Sequence, residues 1–172
     1  MKNRIAFPAL ALLILAVPAI SQEFAYVGAQ KCQICHKSET QGRQYPIWEA
    51  SKHSKSLEAL TSPKAAEVAK TMGVDNPADD PRCLKCHSPL SAQGADIKSG
   101  GVSCEVCHGP GSEYKKLSVM KDKAAAEKSG LILYAGPEAI KAQCLKCHES
   151  SHAAAFDFAA AWEKIKHSVP AK

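Results

Sequence analysis

All eight cysteines of the chain fall into one five-residue pattern, Cys-x-x-Cys-His, repeated four times: Cys32, Cys35 and His36; Cys83, Cys86 and His87; Cys104, Cys107 and His108; Cys144, Cys147 and His148. Two thiols three residues apart on one helical turn can add to the two vinyl groups of a single porphyrin. The histidine that follows then lies beneath the iron and supplies its proximal nitrogen. A disulfide framework or a zinc ribbon also uses paired cysteines, and the gap between Cys86 and Cys104 matches a ribbon spacing. Neither requires a histidine after every pair. Histidine is 7 of 172 residues here, so four of four by chance is on the order of one in 10⁵ to 10⁶. The pattern therefore predicts four covalently attached c-type haems.

Four irons need up to eight axial ligands. Beyond the proximal set, His53, His152 and His167 remain, one short of a complete second set. A methionine thioether is the other common haem ligand, and past residue 21 only Met72 and Met120 are present. His53 and His167 are the leading distal candidates. His152 follows His148 by four residues, which makes the far face of that same haem hard to reach. Met120 is the substitute candidate.

The elements that must hold these groups read as helices. Residues 45–60 predict one helix with Pro46 in its first turn and Ala50, His53, Leu57 and Leu60 on one face. Ser62 and Pro63 open another, stopped by Gly73. Ser112 is a candidate cap for a helix to about Met120, and Asp122 for one ended by Gly130. Pro137 opens the helix of the fourth motif, and Phe156 to His167 is amphipathic, with Phe158, Trp162 and Ile165 inward. Gly100, Gly101, Gly109, Pro110 and Gly111 bracket the third motif and keep it irregular. No alternating run predicts a sheet. The fold expected is mainly α and loop-rich, with little or no sheet and a core built around the haems. The scattered carboxylates read as solvated faces.

Residues 1–21 combine Lys2 and Arg4, an apolar run from Ile5 to Val17 and small residues before Gln22. This is the three-part secretory signal pattern, with cleavage expected after Ser21. The apolar run falls short of the roughly 20 residues needed to span a bilayer. The division is a signal peptide at 1–21 and a tetrahaem domain at 22–172, exported or periplasmic, without stable membrane insertion after cleavage.

The formal charge of +5 loses its meaning in this light. Without Lys2 and Arg4, 20 basic residues face 17 acidic ones. Eight propionates and four ferric cores then bring the loaded protein to about −1, which removes nucleic acid as a partner. The 6% of aromatic residues is a thin supply for a core, and porphyrins would fill it.

Trp48 spaced five residues before His53, the run Gly101 to Gly111 around the third motif, and the stretch Phe156 to His167 together resemble the cytochrome c-554 family of small tetrahaem cytochromes. That resemblance covers nearly the whole chain after the signal. It implies haems packed as stacked pairs, His53 opposite His108, His167 opposite His148, and a five-coordinate haem at His87. It also implies a distal histidine for the His36 haem soon after the third motif. No histidine lies between Gly109 and Cys147, so Met120 and His152 are the substitutes. The function implied is electron transfer between redox partner proteins. The alternatives are reduction of a small molecule such as nitric oxide at an open iron, or a subunit role in a larger multihaem assembly. No catalytic base–nucleophile set is visible.

Overall fold

The computed structural model describes residues 23–149 and 155–167; the proposed signal peptide and His152 lie outside them. Ten α-helices follow one another: α1 Ala29–His36, α2 Gln44–Ala50, α3 Pro63–Thr71, α4 Pro81–His87, α5 Ala95–Ser99, α6 Cys104–His108, α7 Leu117–Met120, α8 Lys123–Lys128, α9 Pro137–His148 and α10 Phe158–Ile165. No strand occurs among the described residues, so the fold is mainly α, as the patterning predicted.

Local cap chemistry explains most helix starts. Ser62, Asp80, Asp122 and Asp157 each accept a backbone N–H from the first turn of α3, α4, α8 and α10. Pro63, Pro81 and Pro137 sit where a missing N–H costs nothing.

Two predicted helices are shorter than their patterns. The one expected over 45–60 stops at Ala50, because Ser51 is extended (φ −80°, ψ 165°) and its hydroxyl donates to the Trp48 carbonyl. Turns and a 3₁₀ helix (Glu58–Thr61) replace the remainder, so His53 sits in a turn. The helix expected from Ser112 is reduced to α7. The Ser112 hydroxyl instead accepts the Ala25 N–H, 3.0 Å away.

The four motif helices α1, α4, α6 and α9 pack in two pairs, α1 on α6 and α4 on α9. Around them the apolar interior is sparse. Among the described residues the buried apolar side chains are Ala29, Tyr45, Leu60, Ala69, Val74, Tyr114 and Ala126. Three of these are alanines. In α10, Phe158, Trp162 and Ile165 are half-buried while Ala159, Ala160 and Glu163 are exposed, as its pattern predicted.

Candidate haem sites

Each Cys-x-x-Cys-His sequence closes a short helix, so its two thiols lie about one turn apart with the histidine next in line. All eight thiols are free of disulfides. The second and third motifs, adjacent in sequence and spaced like a zinc ribbon, are not partners. Cys32 and Cys104 hydrogen-bond through their side chains. This holds the Cys32 thiol down against burial and the charge of Glu105, and pushes Cys104 up. Cys147 is raised to about 11, first by burial and then by Cys86, with which it also hydrogen-bonds. Cys107 is raised by burial and then by the nearby Cys144. The motifs thus adjoin in the order first, third, fourth, second. Among the described residues no group of three or more His, Cys, Asp or Glu side chains is arranged to hold a metal ion by itself.

The histidine rings meet across these pairs. The His53 and His148 ring centres are 6.1 Å apart, and those of His108 and His167 are 5.8 Å apart. Two metal–imidazole bonds of about 2 Å, plus the reach from each nitrogen to its ring centre, span about 6 Å. The spacing suits two imidazoles facing each other across one iron. The facing rings are His53 with His148 and His108 with His167, whereas the family resemblance implied His53 with His108 and His167 with His148. The turn after Ser51 moves His53 off the face a continuous helix would have given it, and the residues after α10 bring His167 to α6.

The environment favours ligation. Burial first, and then the facing His167 and neighbouring His36, push His108 down to about 4. Burial and then His148 lower His53, and burial lowers His148. Neutral imidazole is the form that binds metal. Phe156 stacks on His148 with ring centres 4.3 Å apart. The His36 Nδ1 lies 3.3 Å from the Gln44 Oε1, and the His87 Nδ1 lies 2.8 Å from the Ser56 carbonyl. A proximal histidine anchored at Nδ1 presents Nε2 to a metal. Met120 closes α7, half-buried.

Ser56, Trp48 and Glu105 tie the motifs together; in the sequence Ser56 carries no structural role and Glu105 reads as solvated. The Ser56 hydroxyl lies 2.7 Å from the carbonyls of both His53 and His87 and accepts the Val102 N–H at 2.9 Å. A Cβ on Gly101 would come within 2.5 Å of that hydroxyl, so this contact requires glycine. Trp48 donates from Nε1 to the Val102 carbonyl at 2.9 Å. Glu105, between the cysteines of the third motif, is 1% exposed and corrects the view that every carboxylate is solvated. It accepts from Val27 N at both oxygens, from Gly28 N and from Gly111 N, at 2.7–3.1 Å.

The residues fit a haem at each motif. Thiols and histidine are correctly ordered on each turn, imidazoles face one another at the separation a shared iron needs, and the interior lacks apolar bulk. The buried Ser103 Oγ also has no hydrogen-bond partner, in keeping with a polar group still to be supplied.

Residues 31–109 match the family model described as cytochrome c554 and c-prime. The chain is 32% identical over 123 residues to cytochrome c-554 of Nitrosomonas europaea, covering 65% of this chain and 49% of the relative. The chain therefore spans about half the length of the curated relative it matches. No solved structure matches.

Proposed function

We propose that this chain, which is similar to the cytochrome c-554 family over residues 31–109, is a periplasmic tetrahaem carrier of covalently attached c-type haem, passing electrons from haem to haem between redox partners. The observation that carries this reading is the spatial order of the four motifs, first–third–fourth–second, given by the packing of α1 on α6, the Gln143 side chain of α9 donating to the Val106 carbonyl of α6, and the packing of α4 on α9. Such an order makes one continuous row with an end at each of two motifs.

When bound, the haems supply one-electron chemistry, their irons cycling between ferric and ferrous. The chain's residues do the rest. Each cysteine pair forms two thioether tethers that fix position without reliance on the sparse apolar core. His36, His87, His108 and His148 ligate from the proximal side. His53 completes the site of His148, and His167 that of His108. Gln44 and the Ser56 carbonyl orient His36 and His87. Met120, with His152 as rival, would be the distal candidate for a haem held by His36, and the family resemblance assigns no distal residue to one held by His87. The leader at 1–21 directs export, and no helix among the described residues is long and apolar enough to cross a membrane. Donor and acceptor are redox proteins.

Haem quantification, electron paramagnetic resonance of the oxidised protein and carbon monoxide binding after reduction test the reading. Four haems per chain are expected, with two low-spin bis-histidine centres and carbon monoxide bound at the His87 iron. His53→Ala and His167→Ala should each remove a different low-spin signal. Fewer than four haems, or the same signal lost in both variants, would overturn it.

A further inference from the structure

Glu105 is the one charged side chain among the described residues that is fully buried, and no basic side chain described forms an ion pair with it. Burying a charge without a partner is costly unless hydrogen bonds replace the lost water. Here backbone amides do so. Three N–H groups, from Val27, Gly28 and Gly111, reach both carboxylate oxygens. Acceptance at both oxygens is the pattern of an ionised carboxylate. Backbone dipoles cannot rearrange as a mobile counter-ion would, so a net negative charge stays fixed inside the protein. A Cβ at Gly111 would stand 3.0 Å from the Glu105 Oε1, so a glycine there admits the carboxylate.

The location gives that charge a target. Glu105 lies between Cys104 and Cys107 and acts electrostatically on both Cys32 and Cys104, the thiols that join the first and third motifs. The corresponding positions in the other motifs are Gln33, Leu84 and Leu145, none of which carries a charge. The asymmetry is therefore specific to one half of the molecule. A ferric haem core carries about one more positive charge than a ferrous one, and a nearby negative charge favours the more positive state.

We propose that Glu105 is a redox-positioning residue whose buried negative charge lowers the reduction potentials of the haems at His36 and His108 relative to those at His87 and His148. This rests on the tetrahaem reading above. It separates the row of four into a low-potential half and a high-potential half and so gives electron flow a direction. Each reduction adds one electron from a donor to a ferric iron, with no bond broken and no proton moved.

The competing role is purely structural, a staple holding residues 25–28 to the third motif. The two roles differ in sign. Loosening the staple lets water reach the haems, which favours the charged ferric state and lowers the potential. Removing the negative charge raises it.

The test is a mediated redox titration of the purified holoprotein, after haem quantification has shown four haems per chain. In Glu105→Gln, two of the four steps should move to higher potential, by on the order of tenfold in the oxidised-to-reduced ratio, about 59 mV for a one-electron couple. The other two should stay at their wild-type values. Phe24→Ala is the structural control, because the Phe24 ring packs against Gly130 beside the same segment without bearing charge. It should produce no upward shift. Unchanged steps in Glu105→Gln, a downward shift, or an equal shift of all four would overturn the proposal.

If Glu105→Gln does not accumulate as holoprotein, the wild type still decides. The centres at His108 and His148 have the same ligand types, so their order reports environment alone. With signals assigned through His53→Ala and His167→Ala, the His108 centre should be reduced after the His148 centre. The reverse order overturns the proposal. A haem count other than four fails the functional reading instead and is recognisable as such.

Discussion

The first and third motifs carry the same five-residue chemistry in opposite surroundings. In α1 the residues between the cysteines are Gln33 and Ile34; Ile34 is 81% exposed and Cys35 is exposed too. In α6 they are Glu105 and Val106, and Glu105 is 1% exposed. The third motif holds its neighbours through Glu105, through the Cys107 carbonyl accepting from Tyr134, and through the Val106 carbonyl accepting from Gln143. The first motif's own contacts are fewer, chiefly His36 with Gln44. A covalent motif thus fixes a haem's attachment but not its surroundings. The surroundings come from what the two intervening residues reach.

The sharpest way to break this comparison is to remove each tether. Cys104→Ser with Cys107→Ser should prevent accumulation of folded holoprotein, since the motif at the centre of the packing loses its haem. Cys32→Ser with Cys35→Ser should give a folded protein lacking one haem. Haem stoichiometry and yield measure both. Equal damage from the two variants would erase the distinction.

Glycine substitutions come next. Gly28 and Gly109 both have φ near +80° with extended ψ (83° and 149°; 80° and 178°), a region that is nearly glycine-only and costs about 1–3 kcal/mol for other residues. A Cβ at Gly28 meets only Ile97, at 3.9 Å, whereas one at Gly109 would overlap the Gly130 carbonyl oxygen. Gly109→Ala should therefore lower stability by about 3 kcal/mol or more and Gly28→Ala by about 1 kcal/mol, read from denaturant midpoints. Tyr134→Phe, which removes the hydroxyl donating to Cys107 at 2.8 Å, should cost about 1 kcal/mol by the same measurement. Ile34→Ser, at the exposed motif, should change it by less than about 0.5 kcal/mol.

How far the sequence can be read follows the range of the interactions. Ser62, Asp122 and Pro137 mark their helices correctly because a cap acts within one turn. The haem motifs are legible for the same reason. Ser112 looks like an equally good cap, but its hydroxyl oxygen accepts a hydrogen bond from the Ala25 N–H, 87 positions away. Likewise the burial of Glu105 and the meeting of His53 with His148 depend on contacts across the chain, whereas the break at Ser51 turns on a local bond to the Trp48 carbonyl that the helical pattern did not reveal. Residue types reveal which groups are candidates to ligate, and only the folded chain reveals which pairs face each other.

The tie between Val27 and Glu105 spans 78 residues and bears on how such a chain matures. A chain synthesised from its N-terminus presents the first motif long before Glu105 emerges to cover residues 25–28. The loop closes, at an entropic cost that grows only slowly with its length, when the third motif arrives. The buried carboxylate is then a latch set late, closing residues 25–28 onto the third motif only once both segments are present.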